Sequence, residues 1–92
     1  MSTVRVPTPL RAYADGLNVV EVEGATVGAA LQDLAVRYPQ LRKHLFDDAG
    51  SLRSFVHVFL GELDVRELEG EATPLSQSDQ LLIVPSIAGG SA

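Results

Sequence analysis

One amphipathic stripe governs what this sequence can become. The apolar residues Val27, Ala30, Leu31, Leu34, Ala35 and Tyr38 recur at steps of three and four, which places them on one face of an α-helix. Thr26 stands where an N-cap accepts a hydrogen bond from the first turn, and Pro39 brings the pattern to an end. Gln32, Asp33 and Arg37 fall on the opposite, solvated side. A stripe of this width has to be covered. The segments on either side of it are short apolar runs with the character of strands, so the expectation is one helix laid across a sheet.

The runs themselves support this. Thr3 to Ala14 alternates apolar and polar residues around Pro7 and Pro9, which reads as an edge or bulged strand. Asp15-Gly16 supplies a turn, and Leu17, Val19, Val20 and Val22 form a second strand, so the opening third reads as a β-hairpin. Gln40 to Phe46 reads as a short helical or irregular link, and Asp47-Asp48-Ala49-Gly50-Ser51 as a turn. Phe55 to Leu60 carries the strongest strand signal and is expected at the centre of the sheet. Leu63 to Leu75 is acidic and weakly patterned, broken by Gly70 and Pro74. Ser78-Asp79 then leads into a final strand, Gln80 to Ile87. Two strands, a helix and two or more further strands describe an α+β fold of the β-grasp type: a mixed sheet with one main helix packed on one face. First and last strands would pair in parallel and leave the carboxyl end projecting from the sheet edge. Residues 1–88 are expected to form a single domain and residues 89–92 a flexible diglycine tail with a Ser-Ala extension.

Composition excludes several classes of function. A chain of 92 residues can bury one modest core, which leaves little room for a large active-site cavity. Seven Lys and Arg against twelve Asp and Glu give a formal charge of −5, which argues against nucleic acid and favours basic protein partners. The absence of cysteine removes disulfides, thiolate metal sites and thiol nucleophiles. His44 and His57 are far apart in sequence and lack spaced carboxylates, so no zinc site is expected; the adjacent Asp47 and Asp48 offer too few oxygens for a hard cation. No leader and no membrane-spanning run is legible, so the expected location is the cytoplasm, away from membranes. No catalytic constellation is evident either.

The chemistry is expected at the end of the chain, Ile83-Val84-Pro85-Ser86-Ile87-Ala88-Gly89-Gly90-Ser91-Ala92. Two glycines without Cβ let a backbone pass through a channel too narrow for side chains. Read this way, the reactive group is the carboxylate of Gly90, with Ala88 and Gly89 giving access, and Ser91 and Ala92 must be removed first. By itself the Gly-Gly pair is a weak motif that also fits an ordinary frayed end.

The weight shifts once the motifs are taken together. Val6-Pro7-Thr8-Pro9-Leu10-Arg11, Gly24-Ala25-Thr26-Val27-Gly28, Arg37-Tyr38-Pro39, Phe55-Val56-His57-Val58-Phe59, Asp64-Val65-Arg66 and Ile83 to Gly90 occur in the order found in the ubiquitin-like sulfur carriers typified by ThiS and MoaD. The sequence resembles that family over nearly its whole length, and within it is most similar to the actinobacterial carriers that feed sulfur to a cysteine synthase. The resemblance implies that the Gly90 carboxylate is adenylated with ATP by a partner of the ThiF or MoeB type and then becomes a thiocarboxylate. The carrier itself would catalyse nothing and bind no cofactor. In the cysteine branch the thiocarboxylate attacks an activated serine, an acyl shift leaves cysteine amide-linked to the carrier, and a JAMM-type zinc protease releases it. Ser91-Ala92 departs from the simplest family pattern and implies a cut between Gly90 and Ser91, by such a protease; an expression remnant or a relative without carrier activity are the competing readings.

The resemblance also suggests that Val56, Val58, Leu60, Leu81 and Ile83 are core. Phe59, Leu82 and Val84, on the other face, would then form an exposed apolar patch that leads toward Ile87 and the tail and docks partners. The acidic run Glu62, Asp64, Glu67, Glu69 and Glu71, relieved by Arg66, could meet a basic rim on the adenylating enzyme or simply be solvated. Alternative functions that need the same tail are a MoaD-like small subunit of molybdopterin synthase, held in a MoaE-like partner, and a ubiquitin-like modifier joined to lysines through Gly90. A passive binding module would not need the tail.

Overall fold

The helix begins where the sequence marks it. In the computed structural model, which describes residues 2–85, the Thr26 hydroxyl accepts a hydrogen bond from the Ala29 N–H at 3.2 Å, and helix α1 (Val27–Arg37) follows. The stripe residues Val27, Ala30, Leu31, Leu34 and Ala35 are all buried. Pro39 ends α1 but also starts α2 (Pro39–Leu45), because its fixed φ suits a first helical position. The link is thus a helix with a purpose: Leu41 and Leu45, with Phe46 just after it, are buried and extend the core at the end of α1.

Five strands lie under α1: β1 (Ser2–Arg5), β2 (Val19–Val22), β3 (Val56–Leu60), β4 (Leu63–Asp64) and β5 (Gln80–Pro85). Their order is β2-β1-β5-β3-β4. Only β1 and β5 run parallel; every other pair is antiparallel, which gives the mixed sheet and single covering helix of the ubiquitin-like β-grasp. The buried face carries Val4, Val20, Val22, Val56, Val58, Leu81 and Ile83. Each fully buried Leu or Ile in this core stabilises the fold by about 2 kcal/mol.

Three expectations need correction. The first strand does not run from Thr3 to Ala14: β1 ends at Arg5, and Thr8–Tyr13 is a 3₁₀ helix. Pro7 and Pro9 carry no N–H for a ladder, and Pro9 is well suited to an early helical position, so the alternation there follows a turn that buries Leu10 rather than a strand. The central strand is β5 and not β3; β5 has β1 on one side and β3 on the other at Leu81 and Leu82. The strong strand signal of β3 covers two different environments, since Val56 and Val58 are fully buried while Phe59 and Leu60 are half-buried. Leu60, expected in the core, packs against its margin. Finally, Leu63 to Leu75 is not featureless: β4 and two 3₁₀ turns, Val65–Glu67 and Gly70–Ala72, bury Val65 and Leu75. Gly61 at φ +65° makes the two-residue turn that folds β4 back on β3.

Candidate functional site

Strand β5 delivers the chain to its carboxyl end. Leu81 and Ile83 are buried and fix the strand to the core, so Leu82 and Val84 must point the other way, and both are more than a third exposed (39% and 38%). Partner strand β1 pairs only with Gln80 to Leu82, whereas β3 continues to accompany β5 as far as Pro85, opposite Val56. The last described stretch of β5 is therefore held on one side only. Pro85, the last described residue of β5, has no N–H to give the ladder. Ile87, Ala88, Gly89, Gly90 and Ser91, to which the sequence assigns access, activation and processing, lie outside the described residues.

The outward face is built by register. Phe59 stands opposite Leu82, His57 opposite Val84, and Arg5 opposite Leu82 from the other side, with Val19 next to Arg5 on β2. Phe59, Leu82 and Val84 thus share one face and adjoin one another, with Val19 (37% exposed) at the far margin. The same three residues are the apolar patch expected from alternation.

A polar constellation at the edge of this patch escaped the sequence reading. His57 Nδ1 lies 2.9 Å from Asp64 Oδ2, and the Arg66 N–H donates to Asp64 Oδ1 at 2.9 Å. The Arg66 guanidinium is anchored in turn, Nη2 donating to the Arg53 carbonyl at 2.9 Å, with Nη1 3.4 Å from the Ser54 carbonyl and 3.2 Å from His57 Nδ1. One nitrogen of His57 cannot give its proton to Asp64 and accept one from Arg66 at once; with Nδ1–H on the carboxylate, the Arg66 approach is a close contact and not a hydrogen bond. The signal was present in the spacing: a two-residue turn at Gly61-Glu62 places residue 64 opposite residue 59 and within reach of 57. Asp64 is accordingly engaged and not one more solvated member of an acidic run.

Asp47 and His44 have structural roles. Asp47 Oδ1 accepts from the Ala49 and Ser51 N–H groups at 3.0 Å and closes its turn. His44 stacks on Tyr13 with centroids 4.3 Å apart. Among the described residues no cluster of three or more His, Asp or Glu could hold a metal, and no helix is long and apolar enough to cross a membrane.

Two carboxyls are held below their ordinary value. For Asp64 the chief cause is the Arg66 backbone N–H, followed by His57; for Asp33 it is the Glu23 N–H, donating to Oδ2 at 2.9 Å, followed by Arg37 at 2.8 Å. A carboxyl depressed in the folded state contributes stability that is fully present above its unfolded value and is lost as pH falls through the folded one. The midpoint of urea unfolding should therefore be flat from about pH 7 to pH 5 and fall below about pH 4. Asp64→Asn should remove part of that fall, and an identical acid dependence in this variant would contradict the assignment.

A sheet whose central strand is anchored on one face and carries its end outward beyond its neighbour is the architecture of the ubiquitin-like β-grasp carriers. Comparison with known proteins places the chain in one family of them: residues 4–90 match the model of the ThiS family, and the chain belongs to that family. The sulfur carrier protein CysO of Mycobacterium tuberculosis (strain ATCC 25618 / H37Rv) is 37% identical over 90 residues, 96% of this chain and 97% of the relative. A chain in the crystal structure of the Amycolatopsis orientalis BexX/CysO complex superposes with a TM-score of 0.87 at 33% identity, covering 98% of this chain and 100% of that one. The small archaeal modifier protein 1 of Methanosarcina acetivorans, solved in solution, gives 0.84 at 28% identity over 97% of this chain and 95% of that one.

Proposed function

We propose that this protein carries sulfur as a thiocarboxylate on Gly90. The observation that carries the reading is the extent of the family match, which runs through the core and stops at Gly90, the second glycine of the pair. The chemistry follows from what a carboxylate lacks. It is a poor electrophile, so one oxygen first attacks the α-phosphorus of ATP and pyrophosphate leaves. A sulfur nucleophile then adds to the acyl carbon, AMP departs, and the thiocarboxylate remains. All of this takes place in a partner of the ThiF or MoeB type, which explains why the carrier needs no acid, base or nucleophile of its own. Residues after Gly90, here Ser91 and Ala92, have to be removed before the first step, and a JAMM-type zinc protease suits the task. The acceptor is a cysteine synthase or another enzyme that builds a sulfur-containing metabolite; the resemblance to CysO supports the former.

The apolar face of Phe59, Leu82 and Val84, with Ile87, docks the activating enzyme, and the tail then enters its active site. The reading is tested by ATP–pyrophosphate exchange with a ThiF-type enzyme and the chain ending at Gly90: exchange is expected with the trimmed chain and not with the one ending at Ala92. Exchange by both, or by neither, would count against it. Leu82→Lys should raise the apparent KM for the carrier about tenfold while altering stability by less than about 1 kcal/mol, because the side chain points outward from a strand fixed by Leu81 and Ile83. An unchanged KM would remove this face from the docking surface.

The similarity to a small archaeal modifier protein favours a second reading, in which Gly90 is joined to lysines of other proteins. It requires the same adenylate, and a lysine-linked product detected by mass spectrometry would distinguish it.

A further inference from the structure

The charge of the molecule is unevenly arranged around the point where the tail departs. Because Pro85 pairs with Val56, the last described residue of β5 lies beside the segment Arg53-Ser54-Phe55. Arg66 is fastened across that segment through the Arg53 and Ser54 carbonyls, yet the residue remains exposed. Arg53 is held in its turn by donation of its Nε to the Lys43 carbonyl at 2.9 Å, and its side chain shares a surface depression with those of Arg42 and Lys43. Four of the seven Lys and Arg of the chain therefore stand at one end. Among the described residues no carboxylate comes within 4.0 Å of a charged nitrogen of any of the four.

The acidic groups nearby are in part already committed. Asp64 faces His57, Asp47 accepts two backbone N–H groups and lines the depression together with Asp48, and Glu67 is exposed next to Arg66. Four cations thus stand beside four carboxylates, which leaves this end balanced in charge on a chain whose formal charge is −5. An anchored, unpaired guanidinium loses little side-chain freedom when a carboxylate reaches it, which makes Arg66 and Arg53 better placed for recognition than freely rotating lysines.

We infer that the cationic rim of Arg53 and Arg66, widened by Arg42 and Lys43, is a second contact surface that receives an acidic segment of the protein into which the tail is inserted. The inference rests on the carrier reading for the role of the tail, but the rim can be tested apart from it. It also departs, at this one place, from what the overall charge implies: the acidic bulk favours basic partners, while the base of the tail selects a partner with carboxylates beside its entrance.

The test uses the intact chain labelled with ¹⁵N and titrated with a short polyglutamate peptide and, separately, with ATP. Polyglutamate should shift the amide signals of residues 53–57 and 66, and the shifts should vanish at high salt and in Lys43→Glu/Arg53→Glu. A Lys43→Gln/Arg53→Gln chain should retain them in part, which guards against a reversal that disturbs the fold. Absence of localised shifts overturns the inference, as does a response to ATP without one to polyglutamate, which would make the rim a phosphate site. With a ThiF-type enzyme and variants ending at Gly90, the charge-reversed chain should associate about tenfold more slowly at low ionic strength, the difference closing as salt is added, while Arg37→Gln on α1 leaves the rate unchanged. Adenylation at saturating enzyme with unaltered association overturns this inference alone; absence of adenylation in every variant, with the peptide shifts present, overturns the carrier reading and leaves the rim.

Discussion

Gly89→Val in the chain ending at Gly90 is expected to lower adenylate formation by about 100-fold or more, the scale of loss that follows when a reacting group is displaced by about 1 Å in a catalytic site. The argument is steric. Adenylation requires the Gly90 carboxylate to reach the α-phosphate of ATP at the end of a channel, and a branched side chain one residue earlier both widens the segment and narrows its backbone choices. The fold should be indifferent to the change, since the core assembled from the described residues runs from Val4 to Ile83. Activity and stability are therefore expected to separate cleanly: an unchanged urea midpoint with the exchange reaction nearly abolished. A passive β-grasp module would show no loss of partner binding in the same variant.

The largest effect on stability is expected from Gly24→Ala. This glycine precedes α1, and a Cβ placed on it would lie 2.4 Å from the Ala30 nitrogen and 2.8 Å from the Ala29 carbonyl carbon. Both are backbone atoms of a helix pinned to the sheet by Leu31 and Leu34, so neither can retreat without moving the core. The cost should be about 3 kcal/mol or more, at the upper end of overpacking penalties. Gly16→Ala is the informative control. It has φ +77° with nothing within 4 Å of the new methyl, so only the left-handed backbone is strained and about 1–2 kcal/mol is expected. Urea unfolding of the two variants side by side would test this, and equal losses would refute the steric account of Gly24.

The contrast between these glycines also shows what could be read from the sequence. The helix was legible because three independent signals agreed: a stripe at helical spacing, Thr26 before it and Pro39 after it. The β-grasp order and the opposition of Leu81 and Ile83 to Leu82 and Val84 followed from period-two alternation, which is a local property. What escaped depended on partners distant in sequence. The parallel pairing of first and last strands is implied by the order of elements, but that β5 also takes β3 as its other neighbour, and so is central, is not encoded in the strong local pattern of β3. The 3₁₀ helix at Thr8–Tyr13 buries Leu10 alone, and the prolines beside it were the signal that could have separated it from a strand. The His57–Asp64–Arg66 constellation was hidden because the acidic stretch was taken as a single run, when its first carboxylate belongs to a hairpin.

These elements converge on the end of β5. Burial of Leu81 and Ile83 fixes the strand, Leu82 and Val84 dress the outward face, and Arg53 and Arg66 stand near its last described residue. On the proposed function the sheet is a handle, and the reaction belongs to the acyl carbon of Gly90. The most direct measurement is the intact mass of the chain ending at Gly90 after incubation with ATP, a sulfur donor and a ThiF-type enzyme, with fragmentation to locate the change. The account predicts a gain equal to the exchange of one oxygen for one sulfur, confined to Gly90 and absent without ATP. An unaltered mass under conditions in which the same enzyme charges another ThiS-family carrier would contradict it.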